Sequence, residues 1–351
     1  MRDFPRLCEA IAPPSPAHRA AAQRRLDSLT KPPGSLGRLE EIAVRLAEIG
    51  RGTPTPVNQP VIFTFAGDHG VAEEGVSAYP QAVTGQMVRN FLAGGAAVNV
   101  LARQAGARVI VADFGVATAM VGGDGLVTRR LGDGTRNLAR GAAMTRAQAI
   151  AAVEAGAALA EAEIQAGADL VGTGEMGIGN TTSASAVTAA ITGAAPDVVT
   201  GPGTGVDAAT RCRKVLVVQR ALDTNRPDPN DGLDVLAKLG GFEIGGLVGV
   251  VLSGAAHGVP VVLDGFVATA AGLIAATLVP ACLHFLLASH RSAEPGHRVA
   301  LAHLGLEPYL DLGMRLGEGT GVALFIHLAR AAARIYTDMA TFDSAGITRH
   351  A

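Results

Sequence analysis

The chain has 351 residues with 29 basic and 31 acidic side chains, which gives a formal net charge of -2 at pH 7. This length suffices for one large domain or two modest ones with a buried apolar core. The balanced charge argues against a protein that neutralises a nucleic-acid backbone. The three cysteines, Cys8, Cys212 and Cys282, lie far apart and suggest neither a disulfide framework nor a metal site, so we expect a reducing compartment.

The first residues are charged and proline-rich, without the apolar run of a signal peptide, so we expect a cytoplasmic protein. Two later segments, 244–263 and 265–289, contain no charged residue and are long enough to cross a membrane. Prolines and histidines interrupt both segments, and Asp264 between them would have to be buried in lipid. Buried strands and helices of a parallel sheet give the same apolar runs, and we favour that interpretation.

Taken in chain order, the sequence predicts helices first and then an alternation of strands and helices. Ser15 is predicted to cap a helix that begins at Pro16, and a second helix is predicted within residues 36–49, where apolar residues recur on one face. Strands are predicted at residues 61–65, 108–113, 168–171, 197–200 and 259–263, with helices at 86–105 and 147–165, the latter preceded by Thr145 as its cap. This rhythm predicts an α/β fold with a mostly parallel sheet covered on both faces.

The C-terminal stretch 320–340 is predicted to be a helix without a following strand. It is expected to pack with the N-terminal helices. We therefore predict a small helical domain formed by residues 1–55 and 320–351, and an α/β domain over residues 56–319.

Glycine-rich turns follow several predicted strands. Ligands of open parallel sheets bind beyond the carboxyl ends of the strands, and glycines there let backbone amides approach an anion. Residues 172–177 have the spacing G-x-G-x-x-G, which indicates either a dinucleotide site or tight turns alone. The glycines, Asn180 and hydroxyls of residues 177–182 suit a single phosphate equally well.

Glu318 lies between two glycines immediately before an apolar helix. One interpretation is a carboxylate that only stabilises the helix N-terminus. The other is a general base, because flanking glycines leave the carboxylate accessible and the apolar neighbours Met314 and Leu316 would raise its pKa.

Two histidine motifs are ambiguous. His290, Glu294 and His297 are spaced like metal ligands, but the Pro-Gly pair at residues 295–296 breaks the helix that would align them, so we do not favour a metal site. The pair at residues 68–69, Asp-His, follows a strand, and a structural or substrate-positioning role is favoured over a metal site.

Six segments in the same order resemble one family, the nicotinate-nucleotide:dimethylbenzimidazole phosphoribosyltransferases of cobalamin biosynthesis (the CobT family). The resemblance covers nearly the whole chain. It runs through residues 31–40 (KPPGSLGRLE), 65–71 (FAGDHGV), 174–182 (GEMGIGNTT), 201–205 (GPGTG), 289–292 (SHRS) and 315–321 (RLGEGTG).

This resemblance implies a homodimer with a Rossmann-like domain that transfers the 5-phosphoribosyl group of nicotinate mononucleotide to 5,6-dimethylbenzimidazole. The products would be alpha-ribazole 5'-phosphate and nicotinate, for the nucleotide loop of cobalamin, with no cofactor and no metal. Glu318 matches the catalytic base, and Glu175 is a second carboxylate, for which we favour a positioning role. The resemblance implies a base pocket of Ser77, Tyr79, Gln86, Met176, Met314 and Leu316. For the nucleotide and phosphate it implies Gly177, Ile178, Gly179, Asn180, Thr181, Gly203, Lys214, Asp264 and Ser292.

Three other functions remain open at this point. A dinucleotide at residues 172–177 would make the protein an NAD-dependent oxidoreductase. A protein that keeps the ligand sites without the chemistry would be a nucleotide-binding regulator, which the retained Glu318 argues against. A membrane carrier would use the two apolar segments.

Overall fold

The computed structural model describes residues 3–118, 124–203 and 205–348. Of the sequence predictions, Thr204 in the glycine-rich turn and both extreme ends of the predicted helical domain lie outside this part. A six-stranded, all-parallel sheet forms the centre, with the strand order β3-β2-β1-β4-β5-β6. The strands are β1 (Pro60–Gly67), β2 (Arg108–Gly115), β3 (Leu126–Thr128), β4 (Leu170–Met176), β5 (Val261–Leu263) and β6 (Leu286–Ala288).

Helices cover both faces of the sheet and make up most of the described chain. They are α1 (Phe4–Glu9), α2 (Pro16–Asp27), α3 (Arg38–Ile49), α4 (Ala82–Leu92), α5 (Ala97–Ala105), α6 (Arg146–Gln165), α7 (Asn180–Thr192), α8 (Pro196–Val199), α9 (Ala208–Asn225), α10 (Gly232–Leu239), α11 (Phe242–His257), α12 (Phe266–Leu278), α13 (Pro295–Leu304), α14 (Thr320–Asp338) and α15 (Phe342–Ala345), with 3-10 helices at Gly70–Glu74 and Pro280–Phe285.

The predicted α/β fold is confirmed, and so are both predicted N-caps. Ser15 caps α2 with Pro16 at its first position, and Thr145 caps α6 through its hydroxyl oxygen, which accepts a hydrogen bond from the amide of Gln148. The short edge strands β3 and β6 were not predicted, because three residues each are too few for a periodic pattern.

Two predicted elements are wrong. Residues 197–199 belong to the short helix α8 and do not form a strand, because Pro196 sits at the first helical position, where its fixed φ favours a helical turn; Thr200 follows the helix in an extended conformation. The stretch 86–105 is not one helix. It breaks between α4 and α5, where Gly94 takes a φ of +74° and Ala96 is extended.

The two apolar segments belong to the core of the sheet. Helix α11 is buried along almost its entire length and packs closely against α6: a Cβ atom at Gly156 would lie 1.9 Å from the carbonyl oxygen of Gly246. Glycine is required there because the two backbones touch. In the described part of the chain, none of the helices has the length and apolar character needed to cross a membrane.

Helices from both chain ends pack together. Helix α2 contacts α3, α3 contacts α14, and an isolated bridge pairs Leu29 with Thr341. These helices share one apolar cluster with sheet residues such as Ile62 and Leu170. The division of the chain into two domains therefore stays a prediction.

Candidate active site

A cavity of about 250 Å³ opens at the carboxyl ends of β4 and β5. In the sheet, β2 and β3 lie on one side of β1, and β4, β5 and β6 lie on the other side. The order in which the strands are added therefore reverses between β1 and β4. Such a switch point leaves a crevice where ligands of open α/β sheets bind. Ten of the predicted site residues line this cavity: Tyr79, Glu175, Met176, Gly177, Ile178, Asn180, Thr181, Gly203, Ser292 and Leu316.

The spacing of glycines at residues 172–177 does not form a dinucleotide turn. Gly172 and Gly174 lie inside β4, where a Cβ atom would come within 2.3 Å of a methyl carbon of Val322 and of the carbonyl oxygen of Glu318, respectively. These two glycines allow the start of α14 to lie directly on the strand. The first two glycines of the pattern are therefore explained by packing.

The next glycines form one end of the cavity. We call residues 177–179 the glycine turn: it connects β4 to the N-terminus of α7, and Gly179 has a φ of +97°. Thr181, in the first turn of α7, accepts a hydrogen bond from the Nζ atom of Lys214 at 3.0 Å. A helix N-terminus with backbone amides and a cation is suited to a phosphate.

Lys214 lies behind this end of the cavity, with only 1% of its surface exposed. Burial lowers its pKa to about 8, although the nearby Glu294 opposes the shift. One oxygen of Glu294 accepts a hydrogen bond from the backbone amide of Gly203 at 2.8 Å. An anion beside Thr181 would favour the charged form of this lysine.

Glu175 is the penultimate residue of β4 and reaches the cavity wall. Its carboxylate accepts a hydrogen bond from the side-chain amide of Asn180. Burial, together with the nearby carboxylates of Glu243 and Asp264, raises the pKa of Glu175 to about 8. At pH 7 the protonated form of Glu175 therefore predominates.

Glu318 adopts a φ of +66°, a left-handed conformation that is rare outside glycine, and the residue is 4% exposed. One carboxylate oxygen accepts a hydrogen bond from the backbone amide of Val98 at 3.4 Å. Burial raises the pKa of Glu318 above its ordinary value. Its neighbour Gly317 lines the cavity, whereas the side chain of Glu318 is not among the lining groups.

Asp264 fixes the backbone on the far side of Glu318. This carboxylate, directly after β5, accepts hydrogen bonds from the amides of Gly319 at 3.0 Å, Gly321 at 2.7 Å and Val322 at 3.3 Å. Burial raises the pKa of Asp264 to about 7 although these amides favour its charged form. Asp264 therefore lies beneath the cavity and holds the start of α14; it does not line the cavity wall.

The predicted base pocket is assembled only in part. Tyr79, Met176 and Leu316 line the cavity. The other three predicted residues do not line it. The hydroxyl oxygen of Ser77 accepts a hydrogen bond from the amide of Tyr79 at 3.2 Å, and Gln86 is exposed on α4. The carbonyl oxygen of Met314 accepts a hydrogen bond from the amide of Ala293.

The cavity is also lined by residues that were not predicted to bind a substrate. They are Gly265, Phe266, Val267, His290, Glu294, Arg315 and Gly317. His290 and Glu294 belong to the motif whose spacing resembles that of metal ligands. The third member, His297, uses both ring nitrogens elsewhere, at 2.9 Å from the hydroxyl of Thr269 and 2.9 Å from the amide of Ser292. Burial lowers the pKa of His290 to about 4 and that of His297 to about 3, so both are neutral at pH 7.

The fold and the site together define a class of protein. A parallel α/β sheet presents a glycine turn suited to an anion and the carboxyl groups of Glu175 and Glu294 around one small-molecule cavity. The phosphoribosyltransferase family matches residues 11–347. The chain is therefore a transferase of the phosphoribosyltransferase class.

Similar proteins carry a more specific name, nicotinate-nucleotide–dimethylbenzimidazole phosphoribosyltransferase. One from Desulforudis audaxviator is 53% identical over 98% of each chain, and one from Roseiflexus sp. is 56% identical over 96% of each chain. The crystal structure of that enzyme from Thermus thermophilus is 47% identical, has a TM-score of 0.90 and covers 96% of this chain and 100% of its own. A structure of CobT from the same organism is 49% identical with a TM-score of 0.92, over 95% of this chain and 100% of its own. This chain belongs to the nicotinate-nucleotide–dimethylbenzimidazole phosphoribosyltransferase family.

Proposed function

We propose that the protein transfers the 5-phosphoribosyl group of nicotinate mononucleotide to 5,6-dimethylbenzimidazole and releases nicotinate. The observation that carries this proposal is one cavity with the glycine turn at one end and Leu316, Met176 and Tyr79 at the other. The names of the relatives supply the two substrates. We place the phosphate at the glycine turn with Thr181 and Lys214, and the flat base against the apolar residues.

In the proposed reaction, one nitrogen of the benzimidazole attacks C1 of the ribose. The bond between C1 and the pyridinium nitrogen breaks, and nicotinate leaves with the electron pair as a neutral pyridine ring, so no general acid is required. The second benzimidazole nitrogen loses its proton to the carboxylate of Glu318, which avoids a cationic product. Burial raises the pKa of Glu318, and this makes it a better proton acceptor.

Access of the base to Glu318 requires the adjoining loop. Gly317 and Leu316, which precede Glu318, form the cavity wall, and Leu316 is 58% exposed. A ligand that displaces these residues would meet the carboxylate. Positioning by the fixed phosphate and the flat apolar walls would then supply much of the rate.

Glu175 has a different proposed role. Because burial and nearby carboxylates raise its pKa to about 8, it carries a proton at pH 7 and does not compete as a base. We propose that it orients the ribose hydroxyls and, through Asn180, the glycine turn.

The function is tested by incubating the purified protein with nicotinate mononucleotide and dimethylbenzimidazole and following nicotinate release together with the coupled ribotide. Wild type is expected to form both products, and Glu318→Gln to lower kcat by about 100-fold to 10,000-fold. Glu307→Gln, an exposed glutamate close in sequence, is the matched control and is expected to retain wild-type turnover. Failure of wild type to release nicotinate, or hydride transfer to bound NAD, would contradict the proposal.

Two further properties belong to the same proposal: a homodimeric state and a cytoplasmic location. The family resemblance supports the dimer, and the composition of the chain supports the location. Analytical ultracentrifugation of the purified protein tests the first, with a mass of twice 35.5 kDa as the expected result.

A further inference from the structure

His69 and Glu243 form a completely buried pair beside the cavity but outside its lining. The Nε2 atom of His69 lies 2.6 Å from Oε1 of Glu243, and neither side chain has any exposed surface. His69 follows the end of β1, and Glu243 stands in the first turn of α11. Burial of two such groups is costly unless they contact each other closely, so the pair calls for a structural or functional explanation.

The imidazole of His69 lies directly against the glycine turn. A Cβ atom at Gly177 would come within 3.4 Å of the imidazole Cδ2 atom, and one at Gly179 within 3.3 Å of Cβ of His69. On the other side, a Cβ atom at Gly241 would lie 2.4 Å from the imidazole Cε1 atom. The ring thus fills the space between two stretches of bare backbone, and one of them forms the wall of the cavity.

Glu243 holds the ring from behind. A Cβ atom at Gly67 would lie 2.7 Å from Oε2 of Glu243, and one at Gly241 would lie 2.5 Å from the same oxygen. The carboxylate is therefore confined by backbone and has little freedom to rotate. Its other oxygen fixes the Nε2 atom of His69, so the ring has one orientation.

Asp68 supports the turn from a second side. Its carboxylate accepts a hydrogen bond from the hydroxyl of Thr84 at 2.6 Å, and the same hydroxyl oxygen accepts one from the backbone amide of Ile178 at 3.1 Å. Ile178 is the central residue of the glycine turn. The Asp68-His69 dipeptide therefore supports both the ends and the centre of one short segment.

Other roles for His69 fit less well. Its side chain has no exposed surface and does not line the cavity, so it does not touch a ligand there. Among the residues that the structure describes, no group of three His, Cys, Asp or Glu side chains is arranged to hold a metal ion.

We propose that His69 is a positioning residue for the reaction: held by Glu243, its ring fixes the glycine turn so that the amides of Gly177 and Gly179 meet the phosphate of the nucleotide substrate, while Thr84 holds the amide of Ile178. The role rests on the proposed function, because that function supplies the phosphate. It acts chiefly on the nucleotide end of the cavity: of the residues at the base end, Met176 adjoins the turn, whereas Tyr79 and Leu316 lie in other segments of the chain.

The test compares His69→Asn with His69→Gln. Glutamine places an amide nitrogen near the position of Nε2 and reaches Glu243, whereas asparagine is too short. His69→Asn is expected to raise the KM and the calorimetric Kd for nicotinate mononucleotide about 10-fold to 100-fold, with the KM for dimethylbenzimidazole within about 2-fold of wild type. His69→Gln should restore most of the loss. His257→Gln, at the far end of the helix that carries Glu243, is the matched control and should behave as wild type.

The outcomes separate this role from the proposed function. Wild type that does not release nicotinate contradicts the function itself. If wild type is active, two results for a folded His69→Asn variant overturn the positioning role. One is a Kd for the nucleotide within about 2-fold of wild type, and the other is an equal loss of affinity for both substrates. Where His69→Asn does not fold, Glu243→Gln is measured instead: it keeps the shape and removes the charge that fixes the ring. A nucleotide-specific rise in KM of at least about 3-fold supports the role, and a smaller one overturns it.

Discussion

The hydroxyl of Thr64, inside β1, donates a hydrogen bond of 2.8 Å to the carbonyl oxygen of Glu318. On the other side of that peptide unit, the amide of Gly319 donates to Asp264 at 3.0 Å. Strand β1 and the segment that directly follows β5 therefore hold the backbone of Glu318 from both directions. Such a fixed backbone keeps the residue in its left-handed conformation, and these hydrogen bonds offset the free-energy cost of that conformation.

This arrangement predicts an unusual order of stability among two truncated variants. Glu318→Gly and Glu318→Ala both remove the carboxylate, so both should lose activity to a similar extent. At a φ of +66°, alanine retains a steric cost that glycine avoids. Glu318→Gly should therefore have the larger free energy of unfolding, by about 1 kcal/mol, when the two are compared by urea denaturation.

The ordinary effect of these residues runs in the opposite direction, because glycine also gains more freedom in the unfolded chain than alanine does. An alanine variant that equals or exceeds the glycine variant in stability would show that Glu318 carries no backbone strain. Gly141 is partly exposed, and a Cβ atom added there would have no neighbouring atom within 4 Å. The variant Gly141→Ala therefore gives the reference difference in unfolding free energy between glycine and alanine in this protein.

Gly174 packs against the backbone of Glu318, and this contact leads to a second prediction. A Cβ atom at Gly174 would lie 2.3 Å from the carbonyl oxygen of Glu318 and 2.5 Å from its carbonyl carbon, and backbone atoms cannot rotate away. Gly174→Ala should therefore displace Glu318 and lower kcat by about 100-fold or more. The coupled assay measures this, and Gly141→Ala serves as the control. Near-normal turnover in a folded Gly174→Ala variant would mean that the position of this loop does not matter for catalysis.

The predictions from sequence succeeded where the local residue pattern determines the structure by itself. Buried β-branched runs before glycine-rich turns marked the carboxyl ends of the strands, and therefore the edge of the sheet where the cavity lies. The same logic predicted that Glu318 is an accessible carboxylate, and this was wrong: the residue is 4% exposed and its side chain does not line the cavity. This logic could not reveal the left-handed conformation of Glu318, because the hydrogen bonds from Thr64 and to Asp264 join residues far apart in sequence.

The wrong predictions also arise from contacts between residues far apart in sequence. Two valines at residues 198–199 favour a strand locally, but their position after Pro196 allows a short helix that packs beside α7, α9 and α13. The G-x-G-x-x-G spacing gave no indication that its first two glycines face α14. Arg315 and Phe266 come to the cavity on a loop and at the start of a helix, and no local pattern indicates where such segments meet.

Glu175 gives a prediction about pH. Its pKa is about 8 in the folded protein, against an ordinary value near 4.5, so between these values the folded protein holds a proton that the unfolded chain has released. The stability that this proton contributes is fully present below about pH 4.5 and is lost as the pH rises to about 8. Because glutamine does not titrate, the stability of Glu175→Gln relative to wild type should rise from pH 5 to pH 8 and then become constant.

The same variant tests the assignment of roles. Glutamine imitates the protonated acid that predominates at pH 7, so Glu175→Gln should keep kcat within about 10-fold of wild type. Thermal unfolding between pH 5 and pH 9, together with the coupled assay at pH 7, measures both effects. If Glu175→Gln abolished turnover while Glu318→Gln remained near wild type, the roles of the two carboxyl groups would be reversed.

Lys214 gives the last prediction, a proton that is taken up when the nucleotide binds. Burial lowers its pKa to about 8, so at pH 8 about half of the free protein carries a neutral lysine. A phosphate dianion at the glycine turn would favour the charged form and raise this pKa. Binding of nicotinate mononucleotide at pH 8 should therefore take up about half a proton, which calorimetry in two buffers of different ionisation enthalpy measures directly.

The uptake should disappear in Lys214→Met, and the Kd for the nucleotide should rise roughly 30-fold to 100-fold, because a charged hydrogen-bond partner of the phosphate is lost. Lys238→Met is the matched control, since that lysine pairs with Asp234 at the surface, 2.7 Å away, and should affect neither quantity. Equal proton uptake in wild type and Lys214→Met would assign the titration to another group. Unchanged affinity in Lys214→Met would place the phosphate away from Thr181, because the Nζ atom of Lys214 lies only 3.0 Å from the hydroxyl oxygen of that residue.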